Sequence, residues 1–347
     1  MADITIASWN VAGINSTAKR AKIVQALRSN DVQIACLQET HLTDLERGKL
    51  QRQPSVKQPA VNKHVCLDLK AYIETANVTK LEILQCCNTS KEMVMSQENT
   101  YLGQVITYEV NRKQTVTVNE ELLDMLPKSS PFPAKLYRRC SVVGNGGILL
   151  NSCCGSKINQ ADFVIRCNLP PLNYSRDVGT KTNIVTANPS IIIDRYNSLN
   201  RQRRPFADMM KAYPDALVLM PPFSYVGNTA VSYKVAYTLQ DFFSWQKTVF
   251  FQPDYLLNQA AYWKKKGFHA VRMSTGFMMV TAALELCDQI TLYGYWPFSS
   301  DLEGNLLTYH YYDQRMPAAI HAMNQEFFFY TQMHSQGALR IQVGKCI

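Results

Sequence analysis

The stretch Leu136-Tyr-Arg-Arg-Cys-Ser-Val-Val143, followed by Gly144-Asn-Gly-Gly147, sets the fold class of this chain. Its first eight residues predict a strand, and the glycines predict a tight turn into a helix that opens near Ile148. Glycines let a backbone approach a phosphate, and the first amides of a helix bind anions. The third glycine of the dinucleotide-binding pattern is missing, however. The stretch therefore predicts a strand–turn–helix unit and leaves open whether the turn binds a nucleotide.

Predicted strands and helices alternate from this unit onward. Short apolar runs between turn residues predict strands at 163–167, 184–186, 216–220, 248–251 and 289–293. Longer stretches predict helices at 255–266, 276–286 and 324–333. This alternation is typical of an α/β fold, so we expect a mostly parallel central sheet flanked by helices.

The bulk composition describes a folded protein that favours anionic partners. Of the 347 residues, 46% are apolar and 18% are charged, so the chain can bury a core. The formal net charge of +9 suits nucleic acid, phosphorylated cofactors, acidic sugars or an acidic membrane face. The same charge can serve solubility alone, so composition does not choose among these partners.

The ten cysteines indicate either long-range disulfides or a set of reduced thiols. No Cys-x-x-Cys pair occurs, which argues against a structural zinc site. Glycosylation triplets beginning at Asn77, Asn88 and Asn173 agree with secretion and an oxidising compartment, although such triplets also arise by chance. In contrast, no apolar run reaches the roughly 18–20 residues that span a bilayer, and the first residues do not resemble a signal peptide. We therefore expect no membrane anchor within this sequence.

Three further segments carry side chains suited to binding or catalysis. Ser274-Thr-Gly276 precedes a predicted helix, where hydroxyls and amides either bind an anion or only cap the helix. Tyr309-His-Tyr-Tyr-Asp313 suits stacking on a base or sugar, or forms an exposed aromatic turn. His321 and Glu326 would lie about 500° apart around one helix and could not share a face. We therefore place His321 in a loop and Glu326 in the first turn of the helix that follows, where its charge suits the helix dipole.

The chain contains no Asp-x-Asp pair. Enzymes that use nucleotide-diphosphate sugars commonly hold a divalent metal on two phosphates with such a pair. A donor with a single phosphate needs less neutralisation, which helix amides and a histidine can supply. The sequence therefore favours a donor with one phosphate and no metal.

Together these segments resemble the animal sialyltransferases of glycosyltransferase family 29, and within them the α-2,8-sialyltransferases. Four motifs carry the resemblance, in the family's order. They are Cys140 to Gly147 continuing through Arg166-Cys-Asn-Leu-Pro-Pro171 to Asp177-Val-Gly179; Ser274 to Gly276 continuing through Cys287 to Tyr293-Gly-Tyr-Trp-Pro-Phe298; His310-Tyr-Tyr-Asp313; and His321 with Glu326. The segments 185–190 and 337–341 are most similar to the ganglioside-type members.

The resemblance implies a role for each matching residue. Asn145 and Asn168 would hydrogen-bond the CMP part of the donor, CMP-sialic acid, and Trp296, Tyr309 and His310 would line its site. Ser274, Thr275 and Gly276 would hold the donor carboxylate or sugar. His321 would be the general base, and His310 would stabilise the departing phosphate. The implied disulfides are Cys140 with Cys287 and Cys154 with Cys346, which leaves Cys153 as an extra thiol that could mispair with Cys346.

The resemblance also implies the overall organisation. Residues 66–347 would form one Rossmann-like domain, a GT-A variant with its core at 136–347, preceded by a linker at 49–65. By this resemblance the protein would reside in the Golgi membrane, with its catalytic domain in the lumen. The donor would transfer sialic acid, with inversion, to a terminal sialic acid on a glycolipid or glycoprotein. We expect no metal, no other cofactor and no nucleic-acid partner.

Residues 1–48 do not fit this family. Ser8-Trp-Asn-Val-Ala-Gly13 and Leu37-Gln-Glu-Thr-His-Leu42 resemble the start of an endonuclease/exonuclease/phosphatase domain of retroelements. In such a domain Asn10 and Glu39 would belong to a metal–phosphate site, but the later catalytic residues do not follow. We interpret 1–48 as a truncated segment joined by gene fusion or by an error in gene prediction. A nucleic-acid enzyme, and an inactive relative that only binds sialylated glycans, are the alternatives to the transferase.

Replacement of His321 by alanine is expected to nearly abolish transfer, by about a hundredfold or more, because a general base contributes on that scale. CMP binding should stay intact, since the base does not hold the nucleotide. Turnover is measured with CMP-sialic acid and a sialylated acceptor, and CMP affinity by calorimetry. Unchanged turnover in this variant would contradict the assignment.

Overall fold

The structure, a computed structural model, describes residues 6–10, 34–38, 79–133, 135–243, 245–314 and 321–346. Near the amino terminus, β1 (Ile6–Asn10) pairs in parallel with β2 (Ile34–Gln38), where the sequence predicts strands at 4–9 and 34–37. The helix predicted at 18–28, Glu39 and the linker at 49–65 lie outside the described residues. A small antiparallel hairpin follows, made of β3 (Val105–Thr107) and β4 (Thr115–Thr117).

A seven-stranded sheet forms the centre of the domain, and all of its strands run in parallel. In chain order the strands are β5 (Tyr137–Val143), β6 (Phe163–Arg166), β7 (Ile184–Thr186), β8 (Leu217–Met220), β9 (Thr248–Phe250), β10 (Cys287–Tyr293) and β11 (Arg340–Gln342). Their order across the sheet is β11-β10-β5-β6-β7-β8-β9. The chain thus moves outward from β5 to β9 and then returns to the other side of β5. Ligands of open parallel sheets bind where the order reverses in this way, at the carboxyl ends of the strands.

Helices cover both faces of the sheet. They are α1 (79–87), α2 (Thr89–Glu92), α3 (Glu120–Met125), α4 (Gly155–Asn159), α5 (Ser175–Val178), α6 (Pro189–Tyr196), α7 (Arg203–Met210), α8 (Asn228–Phe242), α9 (Pro253–Lys265), α10 (Thr275–Leu286) and α11 (Met323–Ser335). The last three match the predicted helices to within two residues at each end. None of the helices in the described part of the chain is both long and apolar enough to cross a membrane.

Several elements of the fold differ from the sequence predictions. The helix predicted from Ile148 is only a short 3₁₀ turn, Gly147–Leu149. The helices α6, α7 and α8 were not predicted. Proline occurs in the first turn of α6 and of α7, where its missing N–H is not needed, so it marks a helix start rather than a break.

The core lies on both faces of the sheet, and α10 is its most apolar helix. Nine of the 12 residues of α10 are buried, as expected for a helix that is apolar around its whole circumference. It packs beside α9 and α11 through aromatic contacts, such as Trp263 against Phe277 at 4.9 Å between ring centroids. Burial of α10 directs its amino-terminal end toward the reversal point of the sheet.

Disulfides fasten the strands and the chain end near this point. Cys140 on β5 is joined to Cys287 at the start of the neighbouring β10, and Cys154 is joined to Cys346. These are the two pairs that the family resemblance implies. The adjacent Cys86 and Cys87 are also joined, which the sequence analysis did not predict. Cys153 is a free thiol beside the bonded Cys154, so it does not compete for Cys346 in this structure.

The glycine turn after β5 brings backbone against backbone. The amide of Gly146 donates to the Gly294 carbonyl at 3.0 Å, and the amide of Gly147 donates to that of Tyr309 at 3.2 Å. A Cβ on Gly147 would lie 2.0 Å from the carbonyl oxygen of Thr308, and one on Gly146 would lie 2.5 Å from that of Gly294. The glycines at 146 and 147 are therefore required by close approach of the protein chain itself.

Gly147→Ala is expected to destabilise the fold by about 3 kcal/mol or more, because two backbone segments must separate to admit a methyl group. The matched control is Gly227→Ala. Gly227 is exposed, and a Cβ there would meet no atom within 4 Å, so its free energy of unfolding should change by about 0.5 kcal/mol or less. Thermal unfolding of both variants measures the difference. Equal melting temperatures would refute the steric explanation.

Candidate active site

A cleft opens at the carboxyl ends of β5 and β10, where the strand order reverses. It encloses about 860 Å³ of space that protein atoms do not fill, part of which is open to solvent. All nine residues predicted to bind or transform substrate line it: Asn145, Asn168, Ser274, Thr275, Gly276, Trp296, Tyr309, His310 and His321. Residues from six separate segments thus meet in one cleft, and their individual roles remain predictions.

The amino-terminal end of α10 forms one wall, and a buried carboxylate holds it. Ser274 is the N-cap, and its Oγ accepts a hydrogen bond from the Phe277 amide at 3.1 Å. Its own amide donates to Glu326 Oε1 at 2.7 Å, and its hydroxyl donates to Glu326 Oε2. Glu326 is fully buried in the first turn of α11, and burial raises its pKa to about 7. Glu326, which also borders the cleft, therefore supports its wall by holding the N-cap of α10.

His321 has one ring nitrogen fixed by the protein. Its Nδ1 lies 3.1 Å from the carbonyl oxygen of Arg272. A carbonyl oxygen only accepts, so Nδ1 carries the proton and Nε2 holds the lone pair. Burial lowers the pKa of His321 below its ordinary value of 6.5. The ring is therefore neutral at neutral pH, with Nε2 able to accept a proton.

His310 has a different partner. Its Nδ1 lies 2.7 Å from Asp313 Oδ1, and the other oxygen of Asp313 lies 3.7 Å from Arg195. The ring stacks on Tyr312, with centroids 5.1 Å apart, and the backbone of His310 forms a β-bridge with Gly146. The contact with Asp313 leaves Nε2 as the ring nitrogen available to a ligand.

Two asparagines stand at the ends of neighbouring strands. Asn145 donates from Nδ2 to the Cys167 carbonyl at 2.9 Å, whereas its Oδ1 is buried and has no partner among the described residues. Such an unpaired acceptor costs about 1–3 kcal/mol, which a ligand donor can offset. Asn168 has a left-handed backbone, with φ of 63°, and its Oδ1 accepts from the Asn188 amide at 3.1 Å. Both amide groups are thus held at the base of the cleft.

The aromatic wall consists of Trp296 and Tyr309. The indole N–H of Trp296 donates to the Ser300 carbonyl at 2.8 Å, and the ring packs edge-on against Phe327 at 5.6 Å. Trp296 can therefore offer a ligand its apolar surface but not its N–H. Burial raises the pKa of Tyr309 to about 12, so its hydroxyl stays protonated.

Several cleft residues were not among the predicted site residues, and three of them make specific contacts. Asn188 accepts a hydrogen bond from the Thr275 hydroxyl at 3.2 Å, and Tyr295 donates to the Gly276 carbonyl at 3.3 Å. Tyr330 packs edge-on against Tyr295 at 5.1 Å. Asn188 and Tyr295 each follow a predicted strand, as Gly144 does. Since all these strands were expected to be parallel, their shared edge was a usable signal.

The residues that the structure describes contain no group of three or more His, Cys, Asp or Glu side chains placed to hold a metal ion. Metal independence of the reaction stays a prediction.

The buried Glu326 predicts how stability depends on pH. Its folded pKa of about 7 lies above the ordinary 4.5, so between these values the folded protein keeps a proton that the unfolded chain releases. The free energy of unfolding therefore falls as pH rises through this window, by up to about 1.4 kcal/mol per pH unit. Glu326→Gln should weaken this decline when melting temperatures are compared at about pH 5 and about pH 7.

Glu285 provides the matched control for this measurement. It does not line the cleft, and burial also raises its pKa to about 7. Glu285→Gln should weaken the decline to a similar degree, and the double variant should weaken it further. A pH dependence that is unaltered in Glu326→Gln would show that this carboxyl does not keep its proton on folding.

Comparisons with known proteins agree with the site. The chain matches the family described as glycosyltransferase family 29 (sialyltransferase) over residues 88–338. Human alpha-2,8-sialyltransferase 8E is 46% identical over 277 residues, which cover 79% of this chain and 74% of that protein. The Xenopus laevis alpha-N-acetylneuraminide alpha-2,8-sialyltransferase is 44% identical over 264 residues, 75% of this chain and 73% of that one.

A solved mammalian sialyltransferase, in complex with Gal-beta-1-3GalNAc-ortho-nitrophenol, shares the fold. Its TM-score is 0.50 at 22% identity, over 74% of this chain and 92% of that chain. The family match covers all four motifs on which the resemblance was based. The chain therefore belongs to glycosyltransferase family 29, the sialyltransferases, and within it to the α-2,8-sialyltransferase group.

Proposed function

We propose that this protein transfers sialic acid from CMP-sialic acid to the O8 hydroxyl of a terminal sialic acid, with His321 as the general base. The observation that carries the proposal is the position of His321. Its Nδ1 is occupied by the Arg272 carbonyl, and it lies in the same cleft as the amino-terminal end of α10. A proton acceptor and an anion-binding helix end thus face one space, as a transfer between an alcohol and a phosphate ester requires.

The donor is held by groups that recognise its two halves. Asn145 and Asn168 bind the CMP part, and the unpaired Oδ1 of Asn145 accepts a hydrogen bond from it. Trp296 and Tyr309 line the nucleotide site, Trp296 with its apolar ring and Tyr309 with its hydroxyl group. Ser274, Thr275 and Gly276 hold the carboxylate or sugar of the donor at the start of α10, where the helix dipole favours a negative charge.

The reaction is a single displacement with inversion. Nε2 of His321 takes the proton of the acceptor O8 hydroxyl as that oxygen forms a bond to the anomeric carbon. The bond from this carbon to the phosphate oxygen breaks, and its electron pair leaves with CMP. Burial keeps His321 neutral before the reaction, which is the state that a base needs.

The departing phosphate is stabilised by His310 and the first amides of α10. A proton on Nε2 of His310 would allow it to donate to the phosphate, while Asp313 compensates the charge of the ring through Nδ1. The donor has one phosphate, and the step is proposed to need neither a metal nor another cofactor. Two protein groups thereby share the task that a metal performs for donors with two phosphates.

The acceptor is proposed to be a sialylated glycolipid or glycoprotein. The Golgi lumen is the proposed place of action, and the bonded pairs Cys140–Cys287 and Cys154–Cys346 suit such an oxidising compartment. Residues 1–48 are proposed to take no part in transfer, with 49–65 as a linker to a catalytic domain at 66–347.

The test measures CMP released from CMP-sialic acid with sialyl-lactose, a GM3-like lipid, a sialylated glycoprotein or unsialylated lactose as acceptor. Release is expected only with the sialylated acceptors, and the product should be cleaved by an α-2,8-specific sialidase. A chelator should leave the rate unchanged within about twofold. Binding of sialylated glycans without any release of CMP would instead identify an inactive binding relative, and magnesium-dependent nicking of DNA would favour a nuclease.

A further inference from the structure

An ion pair lies behind the catalytic histidine, outside the cleft. Arg272 Nε is 3.0 Å from Glu109 Oε1, and Nη2 is 2.8 Å from Oε2. The two side chains are 15% and 9% exposed, which makes this the least exposed ion pair in the described part of the chain. Two parallel hydrogen bonds between a guanidinium and a carboxylate fix direction as well as distance. The pair therefore holds the Arg272 side chain in one orientation.

Glu109 is itself held firmly against the sheet. It lies in the turn between β3 and β4, and its amide donates to the Phe223 carbonyl at 2.8 Å. Ser224 follows Phe223 and joins the pair, since Arg272 donates to its Oγ at 2.9 Å and its hydroxyl donates to Glu109. Arg272 is thus anchored to the hairpin and to the segment after β8.

The backbone of Arg272 connects this ion pair to His321. Its carbonyl oxygen is the partner of His321 Nδ1, at 3.1 Å. On either side of Arg272 the same loop is bonded to α11, by the His269 amide to Gln325 at 2.9 Å and by Ser274 to Glu326. The position of one carbonyl oxygen therefore decides which ring nitrogen of His321 is protonated and where Nε2 points.

We propose that Arg272 and Glu109 are positioning residues for His321, because their ion pair fixes the carbonyl that orients the base. This inference rests on the proposed function of His321. Neither residue lines the cleft, so neither touches the donor there. Their contribution is expected in turnover rather than in donor binding, since displacement of a reacting group by about 1 Å can lower a rate about a hundredfold.

The experiment compares variants of the full chain. Arg272→Met is expected to lower kcat about 10- to 100-fold, while the Kd for CMP changes by about twofold or less. Arg272→Lys keeps the charge but not the paired hydrogen bonds, and should lose less. The charge swap Glu109→Arg with Arg272→Glu should recover part of the loss of either single change. Arg203→Met, which breaks the exposed pair with Asp241, is the control and should keep the wild-type kcat.

A cycle with His321→Ala tests whether the effect passes through the base. In that background Arg272→Met should have no further effect on residual transfer, measured with radiolabelled donor. An equal loss in both backgrounds, a parallel loss of CMP binding, or an unchanged kcat in Arg272→Met and Arg272→Lys would overturn the proposal. If His321→Ala alone kept full activity, the proposed base would be wrong. If only Arg272 proved unimportant, the base would stand and the positioning role would fall.

Discussion

A carboxylate with no exposure to water holds the start of the helix on which the cleft is built. Glu326 accepts hydrogen bonds from both the amide and the hydroxyl of Ser274, so the N-cap of α10 is bonded to the first turn of α11. The segment that carries Glu326 also carries His321, five residues earlier. One short stretch of chain therefore holds the amino-terminal end of α10 and also carries the proposed base. A buried carboxylate that lost its hydrogen bonds would cost free energy. The arrangement therefore depends on the protonation state of Glu326.

The sheet explains why these groups meet. The chain runs outward from β5 to β9 and returns to place β10 on the free side of β5, so the turns after β5 and β10 emerge side by side. They approach so closely that Gly146 donates to the carbonyl of Gly294. The Cys140–Cys287 disulfide joins the same two strands before they reach these turns. The close approach leaves no room for a Cβ at Gly146 or Gly147, and the cleft opens immediately above the turn.

The two histidines of the cleft are distinguished by what accepts from Nδ1. For His321 it is the neutral carbonyl of Arg272, and for His310 it is the carboxylate of Asp313. A carboxylate can compensate a positively charged ring, which suits a group beside a phosphate. A carbonyl orients a neutral ring without adding charge, which suits a base. The two histidines thus match the two roles proposed for them, and the net charge of +9 suits an anionic donor.

The sequence by itself determined the elements and the list of candidates. Apolar runs bounded by turn residues predicted the strands β5 to β10. The order of the four motifs identified the family and the nine predicted residues that line the cleft. The sequence did not reveal α8, two of whose five buried residues, Ser232 and Thr238, are polar, or the role of Asn188, whose partner Thr275 lies 87 residues away. Nor could it connect Glu109 to His321, because a hairpin and a loop separated by 163 residues meet only when the sheet closes. Local pattern fixes which residues can form an element, since that choice depends on neighbours in the chain. Only packing decides which distant groups form hydrogen bonds, because these bonds depend on distances that the fold alone sets.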